Sequence, residues 1–304
     1  MKSHLRGRLF LALLVSTISI IFVACATPTP TPTPSSPSAP GPSPTPAHPP
    51  SPSLSPTVPA STPETPPGYV EPTAVDSSEA TFTSEEFSIK AYLSKPKSVG
   101  SFPGLIIIHE NRGLNKHIED VTRRFANQGY VALAPDLLSR VGGTAQFATT
   151  DDAVAAIRTL SADGIAQDLK AAFTYLQSLP YVKIDSIGVI GYCWGGGNSL
   201  LFATRNPELK AAVVYYGPNP ANIDDVAKIT APVLGIYGAE DTRITVNVPG
   251  LEEAMKTHNK AFEYNIYPEA AHAFFNDTST RHNREAAIDA WQRTVSFLQE
   301  HLMS

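Results

Sequence analysis

The sequence has little of what metal centres and disulfide frameworks require. Only two of its 304 residues are cysteine, Cys25 and Cys193, and it contains no HExxH or CxxC motif. His109 and His117 are not spaced as a pair of metal ligands. We therefore expect no metal and no other cofactor.

A surplus of positive charge is also absent, since the formal net charge at pH 7 is −5. Proteins that bind nucleic acids usually present a basic face to the phosphate backbone. The charge balance therefore argues against a nucleic-acid partner, and we expect a small-molecule ligand instead.

No hydrophobic run reaches the roughly 20 residues that a membrane-spanning helix needs. The run at residues 9–24 has sixteen residues and follows three basic residues, which is the pattern of an export signal. The segment from Phe22 to Cys25 resembles a bacterial lipoprotein signal, in which the cysteine is lipid-modified. Phe22 departs from the usual leucine-like residue, so ordinary cleavage and an uncleaved anchor stay open. We expect an exported protein, held at the membrane of the cell envelope through Cys25.

Residues 25–80 have the composition of a tether. Of the 28 prolines in the chain, 18 lie between Pro28 and Pro72, mostly in Thr-Pro and Ser-Pro repeats. Proline fixes φ and removes an amide donor, so such a segment does not build helices or ladders. The signal peptide is thus predicted at 1–24, the tether at 25–80 and one globular domain at 81–304, which we expect to be a monomer.

Predicted strands and helices alternate along this domain, which indicates a doubly wound, mostly parallel sheet of the α/β class. Strands are predicted near 81–93, 105–109, 130–134, 186–190, 209–216, 232–238 and 262–267, and helices near 118–127, 151–160, 165–179, 198–205 and 283–302.

Cys193 lies in the turn Gly191-Tyr192-Cys193-Trp194-Gly195-Gly196-Gly197, between a predicted strand and a predicted helix. This is the layout of a nucleophile elbow, with cysteine where serine usually stands. Glycines allow the sharp turn and the close approach of strand and helix. The alternative interpretation is a buried, inert cysteine in a glycine-rich turn.

Asp241 and His272 follow Cys193 in the order nucleophile, acid, base that α/β-hydrolases use. Each comes after a predicted strand, at the edge of the sheet where ligands of open α/β sheets bind. Glu240 competes with Asp241 for the role of the acid. For the base, the competing histidines are His109, His258 and His282.

Four segments resemble the dienelactone hydrolase family of α/β-hydrolases. They are Ile108-His109-Glu110-Asn111-Arg112-Gly113, Gly129-Tyr130-Val131-Ala132-Leu133-Ala134-Pro135-Asp136, the cysteine elbow, and Ala271-His272-Ala273-Phe274. The resemblance implies a cysteine nucleophile at Cys193, supported by His272 and Asp241. It also implies that Glu110 meets the resting thiol and helps to deprotonate it when substrate arrives. Without the resemblance, Glu110 is equally well explained as a loop carboxylate paired with Arg112.

The chemistry of acyl transfer assigns further roles. The backbone amides of Trp194 and Asn111 would form an oxyanion hole. His109 and Phe274 are possible pocket residues. In the family an arginine four residues after the histidine grips a substrate carboxylate, and here that position is Asn276. Arg281 lies nearby as a possible substitute, and Arg158 is either a pocket residue or a surface charge.

The resulting expectation is a carboxylic ester hydrolase, similar to carboxymethylenebutenolidase, that opens an ester or lactone through a thioester at Cys193. Two alternatives stay open. The first is a catalytically idle, tethered ligand-binding protein, and the second is an acyltransferase that uses the same acyl-enzyme.

Overall fold

The computed structural model describes residues 65–304. Its strands are β1 (Asp76–Ser84), β2 (Phe87–Lys95), β3 (Phe102–Ile108), β4 (Val131–Pro135), β5 (Val182–Tyr192), β6 (Ala211–Tyr215), β7 (Val233–Gly238) and β8 (Phe262–Tyr267). They form a mixed sheet in the order β1-β2-β4-β3-β5-β6-β7-β8. Strand β2 pairs antiparallel with both β1 and β4, and all other neighbours in this sheet are parallel.

The helices of the same residues connect and cover these strands. They are α1 (Lys116–Asn127), α2 (Thr150–Ile157), α3 (Ala162–Ser178), α4 (Trp194–Ala203), α5 (Thr242–Thr245), α6 (Val248–Thr257) and α7 (Arg284–Leu302). No helix within residues 65–304 is both long enough and apolar enough to cross a membrane.

Apolar side chains cover both faces of the sheet. In β3, Ile106 belongs to a core cluster with Phe173 of α3, whereas Ile107 belongs to a second cluster with Phe125 of α1. Neighbouring residues of a strand point to opposite faces, so the two clusters lie on the two sides of the sheet. This arrangement confirms the predicted doubly wound α/β fold and explains why its central strands are almost entirely apolar.

One predicted boundary needs correction. Strand β1 begins at Asp76 and pairs with β2 along its length, so residues 76–80 belong to the sheet and not to the tether. Their polar side chains are typical of a linker, but an edge strand tolerates them because most of these residues are exposed. The predicted signal peptide at 1–24, Cys25 and the tether up to residue 64 lie outside the described residues and stay predictions.

The turn from β5 into α4 depends on the absence of side chains. A Cβ on Gly191 would collide with the backbone of Gly195, and a Cβ on Gly196 would collide with the carbonyl oxygen of Tyr215. Backbone atoms cannot move aside as the end of a flexible side chain can. The glycines of the elbow therefore allow strand, turn and helix to pack at backbone distance.

We expect the substitution Gly191→Ala to lower the free energy of unfolding by about 1–3 kcal/mol, because the new methyl group overpacks the turn. Gly250→Ala is the matched control. Gly250 lies in α6, and a Cβ there would meet nothing within 4 Å. Alanine is the better helix former, so this variant should gain up to about 1 kcal/mol. Urea unfolding of both variants measures the difference, and equal stabilities would contradict the packing argument.

Candidate active site

Cys193 lies between the last residue of β5 and the first residue of α4. Its backbone has φ 57° and ψ −119°, a conformation that non-glycine residues rarely adopt. The amide of Cys193 donates to the carbonyl oxygen of Tyr215 at 3.0 Å, which ties the turn to the neighbouring strand. The strained backbone turns the thiol away from the sheet and into a cavity, where the side chain is half-buried.

His272 connects this thiol to a carboxylate. Its Nε2 lies 3.0 Å from Sγ of Cys193, and its Nδ1 lies 2.5 Å from Oδ2 of Asp241. Asp241 follows β7 and is 7% exposed, and the ring of Tyr216 packs against the imidazole. A buried carboxylate that accepts from Nδ1 leaves Nε2 free to exchange a proton with sulfur. The structure thus brings the predicted cysteine, histidine and aspartate into one hydrogen-bonded line.

The loops that carry the aspartate and the histidine are joined by their own backbones. The amide of Ala239 donates to the carbonyl of Tyr267 at 2.9 Å, and that of Glu240 donates to the carbonyl of Ala270 at 3.0 Å. These bonds continue the pairing of β7 and β8 beyond the strand ends. As a result, the separation of the two side chains is set by the sheet.

The competing acid and bases lie elsewhere. The side chain of Glu240 is exposed, although it is adjacent to Asp241 in the sequence. His258 lies 4.0 Å from the exposed Asp224, and Nδ1 of His282 contacts the carbonyl oxygen of Phe274.

Two backbone amides favour ionisation of the thiol. The N–H groups of Trp194 and Asn111 both act to lower the pKa of Cys193. Trp194 is the first residue of α4, where amides have no partner within the helix. Asn111 belongs to the loop after β3. The two predicted oxyanion-hole donors are therefore adjacent to the atom that would bond to a substrate carbon.

The electrostatic surroundings oppose ionisation of the resting thiol. Burial raises the pKa of the Cys193 thiol above its ordinary value, and the negative charge of Glu110 raises it further. The amides of Trp194 and Asn111 and the positive charge of Arg243 lower this pKa but do not outweigh the first two effects.

Glu110 is buried beside the thiol. Its side chain is 4% exposed, Oε2 accepts a hydrogen bond of 2.9 Å from Nδ2 of Asn276, and Oε1 has no partner among the described residues. Within residues 65–304 it forms no ion pair, so pairing with Arg112 was the wrong interpretation. Arg112 lies on the cavity wall, where its side chain faces solvent.

His109 and Phe274, which were predicted as pocket residues, do not line the cavity. His109 is fully buried, with Nδ1 2.6 Å from the carbonyl oxygen of Glu110 and Nε2 accepting from the amide of Leu137 at 3.2 Å. Burial lowers the pKa of His109, in keeping with a neutral ring that stacks on Trp194. Phe274 is fully buried, and its ring packs against those of Tyr216 and Tyr267.

The cavity at Cys193 has a volume of about 490 Å³. Asn276 and Arg281 line it as predicted, and Arg158 also lines the cavity.

Arg243 lines the cavity too, although no pattern in the sequence indicated it. It lies in α5, two residues after Asp241. Four arginines thus line this cavity, and none of them forms an ion pair with another of the described residues. They are Arg112, Arg158, Arg243 and Arg281.

A metal site is not evident in this part of the chain. Among residues 65–304, no group of three or more histidine, cysteine, aspartate or glutamate side chains is arranged to hold a metal ion.

Comparisons with known proteins agree with this fold. The model of the dienelactone hydrolase family matches residues 89–302. A Synechocystis protein assigned as a carboxymethylenebutenolidase is 36% identical over 236 residues, covering 73% of this chain and 96% of the relative. A similarly assigned protein of Methylorubrum extorquens is 34% identical over 226 residues, covering 70% of this chain and 77% of the relative.

A solved structure extends the likeness to three dimensions. The crystal structure assigned as a dienelactone hydrolase of Klebsiella pneumoniae superposes with a TM-score of 0.70 at 30% identity, covering 75% of this chain and 99% of that one. With the family match, this similarity shows that the chain belongs to the dienelactone hydrolase family of carboxylic ester hydrolases.

Proposed function

We propose that the protein hydrolyses an ester or lactone through a thioester formed on Cys193. The observation that carries this proposal is the line of contacts in which Nε2 of His272 lies 3.0 Å from the sulfur and Nδ1 lies 2.5 Å from Asp241. The distances suit transfer of the thiol proton to the imidazole. Family membership supports the same class of reaction.

In the first step the sulfur bonds to the carbonyl carbon while its proton passes to Nε2 of His272. Asp241 holds the histidine tautomer and stabilises the imidazolium that forms. The carbonyl oxygen becomes an oxyanion, which the amides of Trp194 and Asn111 stabilise. Asn111 and Trp194 line the cavity together with Cys193, and their amides already favour a negative charge on its sulfur.

In the second step the carbon–oxygen bond of the ester breaks, and the imidazolium gives its proton to the leaving alkoxide. The acyl group stays on Cys193 as a thioester. Water then attacks the thioester carbon, with His272 accepting its proton, and the thiolate leaves and is reprotonated. The net reaction consumes one water and yields an acid and an alcohol, or a hydroxy acid from a lactone.

Glu110 is suited to start this sequence. It is a buried carboxylate near the thiol, and one of its oxygens has no hydrogen-bond partner among the described residues. When substrate fills the cavity and excludes water, this oxygen can accept the thiol proton first and then pass it to Nε2 of His272, which carries it to the leaving alkoxide. Asn276 holds the other oxygen and thereby orients the carboxylate.

The arginines of the cavity indicate that the substrate carries an acid group. The cavity is lined by four arginines and by a single carboxylate, Glu110, which is buried and bound to an amide. Guanidinium groups bind carboxylates with paired hydrogen bonds. The residue four positions after His272 is Asn276, which carries no positive charge. The acid group of the substrate would therefore be bound by these arginines.

The mechanism predicts that an acyl group is bound transiently to Cys193. Mixing the full chain with p-nitrophenyl acetate and quenching at once should add one acetyl group, located by mass spectrometry on the peptide with Cys193. Cys193→Ala should show neither the adduct nor hydrolysis above background. An acetyl group on any other residue, with turnover kept in Cys193→Ala, would exclude the thioester route.

Two neighbouring carboxylates provide the matched control for the same assay. Asp241→Asn should lower kcat by about 10⁴, because the amide fixes the wrong histidine tautomer. Glu240→Gln changes an exposed carboxylate next to it and should leave kcat unchanged.

The pH dependence of thiol alkylation should follow the charges around the sulfur. Because burial and Glu110 raise the pKa of Cys193, its reaction with iodoacetamide should reach half-maximal rate above the ordinary pKa of a cysteine. Glu110→Gln removes a negative charge and should lower this midpoint, whereas Arg243→Gln removes a positive charge and should raise it. Lys183→Gln, near the start of β5, is the control. Midpoints that move together, or not at all, would refute this electrostatic account.

If the arginines bind an acid group of the substrate, removing one of them should raise the KM for substrates that carry this group. Arg281→Gln should raise KM about tenfold for an ester that carries a carboxylate, since one charge-assisted contact is lost. The KM for a neutral ester of the same size should stay the same. Steady-state kinetics with both esters tests this, and an equal change in both KM values would mean that Arg281 does not bind the acid.

A further inference from the structure

Helix α2 forms one wall of the Cys193 cavity. Val154, Ile157 and Arg158 line the cavity. Side chains three and four positions apart lie on the same face of an α-helix, and Arg158 keeps helical dihedral angles at the end of α2. The helix therefore presents two apolar side chains and one guanidinium group to the cavity.

Val154 is the apolar side chain of this wall that takes no part in the core. It is partly exposed and belongs to none of the apolar clusters found among residues 65–304. By contrast, Ile157 is 3% exposed and packs with Leu138 and Ala153. A single exposed apolar residue is ordinary at a protein surface, but Val154 lies on the wall of the cavity that contains the proposed nucleophile. Its side chain is thus available to a bound substrate.

Trp194 connects this wall to the nucleophile. It directly follows Cys193, lines the same cavity and is partly exposed. Its side chain packs against the cluster to which Ile157 belongs. The apolar surface of the cavity therefore extends from the residue after the thiol to α2. An apolar group that covers such a surface is stabilised roughly in proportion to the area removed from water.

The acyl group is the part of the substrate that stays beside this surface throughout the proposed reaction. The alcohol leaves when the thioester forms. The acyl chain stays bonded to Sγ of Cys193 until water releases it. Contacts between this chain and the wall are therefore present in both steps, and they can determine which acyl groups react.

From these observations we propose that Val154 is a specificity-determining residue, which selects acyl groups with an aliphatic chain over acetyl. Arg158 lies one helical turn from Val154 on the same wall, so the wall fits an aliphatic chain beside an acid group. This inference rests on the proposed hydrolysis and adds the chemical class of the acyl group.

Hydrolysis of p-nitrophenyl acetate and p-nitrophenyl hexanoate by the full chain tests the inference. The two esters share a leaving group, so the ratio of their kcat/KM values reports on the acyl group alone. We expect the parent chain to prefer the hexanoate by about tenfold. Val154→Thr keeps the branched shape of the side chain but replaces a methyl group by a hydroxyl. It should lower this preference about threefold, mainly by raising the KM for the hexanoate.

Val154→Phe tests the same contact by changing its size. The larger ring would occupy the space of the aliphatic chain, so kcat/KM for the hexanoate should fall at least tenfold, and that for the short acetate should fall less. A general disturbance of the fold would lower both values together.

Val99→Thr is the matched control, because Val99 is fully exposed in the loop between β2 and β3 and should not affect the preference. If Val154→Thr does not fold, Val154→Ala decides the outcome, since alanine is the best helix former and also removes the contact. The inference is overturned if the parent chain does not prefer the hexanoate, or if the Val154 variant keeps the preference of the parent.

The acetyl adduct on Cys193 separates this inference from the proposed function. An adduct in the parent chain together with an unchanged preference in Val154→Thr would reject only the role of Val154. Absence of the adduct would reject the thioester route itself.

Discussion

The strained backbone of Cys193 is the constraint on which the site depends. With φ at 57°, the residue turns its thiol out of the sheet, and the bond from its amide to Tyr215 fixes the turn. The glycines around it allow this conformation, since side chains there would meet backbone. The sheet then sets the distance to the histidine and its carboxylate, because the two loops are joined by backbone bonds beyond β7 and β8. Packing energy distributed over the domain thus maintains a local arrangement that is unfavourable by itself.

The site balances charges of opposite sign at short range. Burial and Glu110 oppose ionisation of the thiol, while the amides of Trp194 and Asn111 and the charge of Arg243 favour it. The amides that favour a negative charge on sulfur are the same ones proposed to stabilise the oxyanion. In the proposed mechanism, a substrate that enters this cavity displaces water and thereby changes this balance.

Much of the fold could be predicted from the hydrophobic runs and their order in the sequence. The nucleophile elbow could be predicted from its glycines. The alignment of Cys193, Asp241 and His272 was predictable because parallel strands end at one edge of the sheet. Side-chain direction was harder to predict. His109 is adjacent to Glu110, but its ring packs into the core and not into the cavity. The arginines that line the cavity come from separate loops and helices. No short pattern in the sequence predicts that residues so far apart in the chain lie together in the fold.

The raised pKa of the Cys193 thiol has a consequence for the lifetime of the protein. Peroxides and other oxidants react with thiolates far faster than with thiols, and oxidation beyond the sulfenic acid is irreversible for most proteins. Cys193 has no cysteine beside it among the described residues that would rescue it as a disulfide. Burial and the carboxylate of Glu110, which raise the pKa of the Cys193 thiol, would therefore also slow oxidation of the sulfur between turnovers.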